Sequence, residues 1–148
     1  VKDMREEHFA WLEALPMTIA VPAHGVRVAH AGLDPRVPID RQDPHLVMNI
    51  RSLDEGGTAT RKLTGTPWAR MWQGPEHVVF GHDARRHLQI ERFATGLDTG
   101  CCYGRELTAL VLAEGEPVPV EEGARRAKLV SVPAARAYCP MGDGQGPE

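Results

Sequence analysis

Two strings in this chain each read as a strand that stops at a histidine. They are Val26-Arg27-Val28-Ala29-His30-Ala31-Gly32-Leu33 and Val78-Val79-Phe80-Gly81-His82-Asp83. Each is rich in β-branched or aromatic residues and places its histidine beside a glycine. A histidine at the end of a buried strand, among small neighbours, can hold a metal ion or a phosphate at the rim of a sheet. Imidazole is the commonest metal ligand among side chains, and metal bonds of about 2.0–2.1 Å require ligands to converge closely, as strand ends do. Two such histidines on separate strands could serve one site. The other five, His8, His24, His45, His77 and His87, fall in a helix, in turns or in polar loops, where an exposed or hydrogen-bonded ring is the simpler reading.

The elements that must position these residues follow from patterning. Lys2 to Leu15 reads as an amphipathic helix, with Met4, Phe9, Leu12 and Leu15 on one face, Asp3 as cap and Pro16 as stop. Two strands follow, Met17 to Val21 and Val26 to His30, joined through Pro22-Ala23-His24-Gly25. Asp34 to Pro44 reads as a loop, Leu46 to Leu53 as a short helix or irregular segment, and Asp54 to Gly65 as a second loop. Trp68 to Trp72 is expected to be a helical turn with aromatic anchors. Beyond residue 75 strands dominate: Val78 to Gly81, Leu88 to Phe93 leading into Ala94 to Asp98, Leu107 to Leu112, and Lys128 to Val132. Glu114 to Glu122 is acidic and proline-containing, hence an exposed loop, and Met141 to Glu148 reads as a frayed tail. The expected class is mixed α/β with a β-rich second half.

Composition sets the outer bounds. With 148 residues, 42% hydrophobic and 25% charged, the chain is one domain or part of one and can bury a core. A net charge of −3 gives no broad basic surface, so sequence-specific DNA binding is not expected. No apolar run approaches the ~18 residues that would read as a membrane span. The three cysteines, Cys101, Cys102 and Cys139, form no CxxC pair and read as buried free thiols in a reducing, cytoplasmic compartment. The chain begins at Val1 without a methionine, as a processed or truncated product would.

Three ordered strings carry a family resemblance. His30-Ala31-Gly32-Leu33, Gly81-His82-Asp83, and Gly96-Leu97-Asp98-Thr99-Gly100-Cys101-Cys102-Tyr103-Gly104 running on to Leu107-Thr108-Ala109-Leu110 together resemble the C-terminal half of calcineurin-like metallophosphoesterases. The branch is the phosphoprotein-phosphatase-type group that includes diadenosine tetraphosphatase (ApaH) and the ApaH-like phosphatases. The resemblance runs from the first helix to about Tyr138 and includes Leu129-Val130-Ser131-Val132-Pro133-Ala134. It implies a partial αββα sandwich over residues 1–138, followed by a flexible tail, 139–148. It also implies two divalent metal ions (Mn, Fe or Zn) in the parent protein, with His30 and His82 as ligands.

Arg51, in Asn49-Ile50-Arg51-Ser52, matches the family's phosphate-binding arginine, a role suited to a planar guanidinium. Tyr103 resembles a residue near the substrate, and it reads equally as a packed or hydrogen-bonded tyrosine. Asp98 reads as a loop-shaping residue. The implied substrates are phosphomonoesters or phosphoanhydrides: dinucleoside polyphosphates, capped RNA, polyphosphate or phosphoproteins.

The family's early motifs, GDxHG, GDxxDRG and GNHE, supply the remaining ligands, a bridging aspartate and the general acid. None occurs in these 148 residues; the only Gly-Asp pair is Gly142-Asp143 and the only asparagine is Asn49, followed by Ile50. The expectation is a chain lacking roughly the first two-fifths of the catalytic domain, which would be inactive alone and partnered by that missing half. Two other readings remain open. One is a non-catalytic phosphatase-like binding or scaffold domain; the other is a small zinc-stabilised domain using His30, His82 and a cysteine.

Overall fold

The computed structural model describes residues 4–140. Its centre is a five-stranded sheet in the order β1-β2-β6-β8-β7. Here β1 is Thr18–Val21, β2 Val26–Ala29, β6 His77–Phe80, β7 Gln89–Glu91 and β8 Ala94–Gly96. The three middle strands β2, β6 and β8 run parallel, and the edge strands β1 and β7 pair antiparallel to them. A three-stranded sheet of short strands, β3 (Ser52–Leu53), β4 (Ala59–Thr60) and β5 (Thr66–Pro67), lies between β2 and β6 in sequence. A two-stranded ribbon, β9 (Glu106–Leu110) with β10 (Leu129–Pro133), completes the β structure. The mixed α/β class and the β-rich second half are as the sequence indicates.

The parallel register explains the layering. Partners in a parallel ladder point to the same side, so Ala29, Val78, Phe80 and Ala94 share one face and Val28, Val79 and Thr95 the other. The first face is the core. It is covered by Val47 and Ile50, from and just after α2 (Pro44–Asn49), and by Trp68, Ala69 and Trp72, from and just after α3 (Trp68–Met71). Trp68 meets Phe80 edge-on with ring centroids 4.8 Å apart and donates its indole N–H to the Ala31 carbonyl at 3.1 Å. Burial of side chains this large contributes about 1.5–3 kcal/mol each, and the hydrogen bond removes the cost of a buried indole donor.

The second face is only partly covered. At the amino end of β6, α4 (Glu122–Arg126) buries Arg125 against it. The guanidinium donates to the carbonyls of Glu91 (2.6 Å), Pro119 (3.1 Å) and Arg92 (3.4 Å), and lies 3.4 Å from His77 Nδ1. Nε2 of His77 is 2.9 Å from the Thr95 hydroxyl. Toward the other end a cleft of about 350 Å³ opens between the sheet and the ribbon, with Val28, Val79, Leu97 and Leu107 among its walls. Ile19 and Val28 on the sheet, and Leu107, Val130 and Val132 on the ribbon, are exposed.

Several expectations are corrected. The first helix, α1 (Glu6–Glu13), is shorter than its pattern and buries no residue; Phe9, Leu12 and Leu15 are exposed. Its expected cap, Asp3, lies outside the described residues, as does the tail Met141 to Glu148. His77 is not in a loop but buried on β6, hydrogen-bonded across the ladder. The acidic loop ends in the short α4, which its composition did not indicate, and the Asp54 to Gly65 loop contains β4. The cysteines are free but not buried: Cys102 and Cys139 are exposed and Cys101 is half-buried.

Candidate functional site

The parallel pairing of β2 with β6 brings the two histidine strings together. Ala29 pairs with Phe80 and the ladder continues, with Gly81 N–H donating to the His30 carbonyl at 2.8 Å. His30 and His82 therefore leave the sheet at one carboxyl rim, their ring centroids 5.2 Å apart. Ligands commonly bind outside the carboxyl ends of parallel strands.

Both turns that aim these rings are locked. After His30, the N–H groups of Ala31 and Gly32 donate to the Val47 carbonyl at 2.9 and 3.4 Å. Gly32 has φ 151°, and a Cβ there would sit 2.1 Å from the Trp68 indole. The glycine of the first string is therefore required by the tryptophan packed beneath it. Around His82, Asp83 N–H donates back to the Gly81 carbonyl at 2.8 Å, closing a three-residue turn with His82 at φ 67°. A non-glycine residue held there costs on the order of 1–3 kcal/mol and marks a position the surroundings over-determine.

The electrostatics suit a ligand that must stay neutral. Burial holds the His82 imidazole below its ordinary pKa; the nearby Arg51 and His30 add to this, while Asp83 and Asp98 oppose it. Its Nε2 is buried without a hydrogen-bond partner. A buried, unpaired ring nitrogen on an over-determined backbone is uncommon in a purely structural histidine. His30 is exposed, so one ring is supported from below and the other faces outward. Among the described residues no three His, Cys, Asp or Glu side chains converge, so the pair offers two candidate ligands and not a closed metal cage. The same finding removes the reading of a zinc-stabilised domain using a cysteine, because such sites need four protein ligands.

Arg51 joins the pair. It follows α2, its Nη1 donates to the Arg61 carbonyl at 3.1 Å, and its Nε stands 3.8 Å from Oδ1 of Asp83. Asp83 is buried and ion-paired through Oδ2 with Arg86, whose other nitrogen donates to Ser52 Oγ (2.8 Å) and the Leu63 carbonyl (2.6 Å). Arg86 thus ties the residues after β6 to the small sheet that carries Arg51. Sequence reasoning did not single out Asp83 or Arg86 as site residues. Asp83 lay in a string already quoted, whereas Arg86 had no distinguishing signal.

Tyr103 is not brought to this cluster by any contact among the described residues. It is half-buried and pairs with Ala137, and the neighbouring Cys102, with burial, holds its phenol above the usual value. Asp98 shapes its loop as expected, accepting from Gly100 N–H at 3.1 Å. It also acts on both His82 and Tyr103 and lines the cleft, so its reach extends to the rim.

No family model matches the chain. Curated relatives do. A bis(5'-nucleosyl)-tetraphosphatase PrpE (asymmetrical) of Geobacillus sp. strain WCH70 is 28% identical over 141 residues, 93% of this chain and 51% of the relative. The protein of the same name from Oceanobacillus iheyensis is 29% identical over 110 residues, 73% of this chain and 44% of the relative. A solved crystal structure, of a protein provisionally assigned as a diadenosine tetraphosphatase, superposes with a TM-score of 0.73 at 42% identity, over 90% of this chain and 57% of that one. The chain spans about half the length of the curated relatives it matches. In sequence the chain is similar to bis(5'-nucleosyl)-tetraphosphatases, and in sequence and fold to that diadenosine tetraphosphatase structure.

Proposed function

We propose that this chain is the carboxyl-terminal part of a metal-dependent phosphoanhydride hydrolase acting on dinucleoside polyphosphates. His30 and His82 hold divalent metal and Arg51 clamps a phosphate. The observation that carries the reading is the rim itself. Two imidazoles from adjacent parallel strands meet there, one with a buried unpaired nitrogen on a backbone fixed at φ 67°.

The residues fit a metal. His82 is kept neutral by burial, which leaves its ring nitrogen lone pair available. A bound divalent ion would offset phosphate charge and acidify a water. Arg51 adds a fixed cation beside His82, and Asp83 restrains it from behind. Asp98 and the apolar cleft adjoin the same rim and offer room for the part of the substrate beyond the phosphates. Tyr103 belongs to the loop bordering that cleft and is proposed to contact substrate from there. The general acid and the bridging carboxylate come from a preceding part of the parent protein.

The test is metal content and turnover together. The parent protein should bind two Mn, Fe or Zn ions, and His30→Ala or His82→Ala should lower that number and abolish most hydrolysis. Wild-type metal content by elemental analysis in both variants would overturn the ligand assignment. The 148-residue chain alone should turn over little p-nitrophenyl phosphate. The residues encoded just upstream of Val1 offer a cheaper check, because a GNH string there is expected. A second reading, a non-catalytic phosphatase-like domain, is favoured by the two-ligand count among the described residues. An in-frame start with no such string would support it.

A further inference from the structure

Cys102 and Cys139, far apart in sequence, are neighbours at the end of the described chain. Tyr103 and Ala137 form an antiparallel bridge that sets the two segments side by side. The Cys102 carbonyl accepts from Tyr138 N–H at 2.8 Å and from Cys139 N–H at 3.1 Å. Sγ of Cys139 donates to that same carbonyl at 3.6 Å. Both residues are exposed, and neither is disulfide-bonded. In the register set by Tyr103 and Ala137 the residue opposite Cys102 is Tyr138, so Cys102 and Cys139 are diagonal neighbours across the bridge, held close by the shared Cys102 carbonyl. Cys101 is placed differently: it is half-buried and lines the cleft. A bond between the adjacent Cys101 and Cys102 would be strained.

We propose that Cys102 and Cys139 are a redox-responsive pair, joined by hydrogen peroxide into a reversible disulfide that fastens segment 137–140 to the loop 100–104. The Cys102 thiolate attacks one peroxide oxygen and the O–O bond breaks. A sulfenic acid forms on Cys102, and hydroxide leaves to become water. The Cys139 sulfur then attacks the sulfenic sulfur, giving up its proton, and the S–O bond breaks to release a second water. Two thiols are oxidised by two electrons, and one peroxide is reduced to two waters. Cys139 holds its proton more tightly than an ordinary thiol, because it is hydrogen-bonded to Cys102 and partly desolvated. That fits it to be the second, resolving partner. In the disulfide form the loop that carries Asp98, Thr99 and Cys101 along the cleft is tied at its far side. A cytoplasmic disulfide of this exposed kind is the sort that forms transiently.

The test needs neither metal nor substrate. The 148-residue chain is treated with a small excess of peroxide, alkylated and digested with trypsin. The peptide Phe93–Arg105 should appear joined to the peptide beginning at Ala137, and accessible thiols should fall from three to one, both reversed by dithiothreitol. The joined species should persist in Cys101→Ser and vanish in Cys102→Ser and Cys139→Ser. The proposal is overturned if three thiols remain after treatment, or if the link survives Cys102→Ser. Links between separate chains, or irreversible oxidation of Cys102 with no joined peptide, would also overturn it.

Discussion

Acid should loosen this protein at one identifiable place, the packing of α4 on the sheet. Burial first, and then the Arg125 guanidinium, push the His77 imidazole from its ordinary 6.5 down to about 4. Between those values the unfolded chain carries a proton on this ring and the folded chain does not. Stability from this group is therefore complete above pH 6.5 and is lost as pH falls toward 4. The gap is about 2.5 pH units at roughly 1.4 kcal/mol each, so the whole effect is about 3 kcal/mol. Between pH 7 and 4.5 it is roughly 2 kcal/mol. The ring is shut in by the Thr95 hydroxyl on one nitrogen and Arg125 on the other, so an added proton would face a guanidinium that cannot release its own. The assay is urea unfolding of wild type and His77→Gln at pH 7, 6, 5 and 4.5. Other carboxylates titrate in both proteins and cancel in the difference. The wild type should lose about 2 kcal/mol more than the variant over that range. Parallel curves, or a folded-state His77 titration near 6.5 by NMR, would refute the reasoning.

Three further outcomes are expected. Gly32→Ala should combine backbone strain with a collision against Trp68, costing about 3 kcal/mol. Melting should then drop by roughly 6–12 °C, and calorimetry showing a shift within 2 °C (roughly one-third of the lower bound) would contradict the packing account of that glycine. Arg86→Met should cost about 3 kcal/mol by leaving the buried Asp83 carboxylate without its closest partner; Asp83→Asn in the same background should recover part of it in urea unfolding. If the Cys102–Cys139 disulfide forms, it closes a loop whose ends lie 37 positions apart, which restricts the unfolded chain by at most about 4 kcal/mol. The oxidised chain should therefore unfold at higher urea than the reduced one.

Much of the site was legible because its residues are local. A β-branched run ending at a histidine and glycine is visible in a window of eight residues, and both strands fall within a residue of their expected limits. The meeting of those two strands was not visible in the pattern. It arises from a parallel crossover that threads β3, β4, β5 and α3 between them. His77 was misplaced for a related reason: a polar residue beside Pro75 and Glu76 reads as loop, yet Arg125 and Thr95, distant in sequence, make it a buried one. The helix α1 erred the other way, because a hydrophobic stripe specifies a face to be covered without specifying its cover. Arg86 was silent because an arginine that ties two loops looks, in one dimension, like any surface arginine.

The left-handed turn at His82 bears on how this position can drift. A backbone at φ 67° is adopted most readily by glycine, and among residues with a Cβ by asparagine, aspartate and histidine. Replacements at His82 outside that set would strain the turn as well as delete the ring, so His82→Asn is the companion that separates the two effects in the His82→Ala test. Asparagine keeps the turn and offers an oxygen or nitrogen at shorter reach. It is the substitution through which the imidazole could be lost over generations while the strand, the rim and Asp83 keep their places.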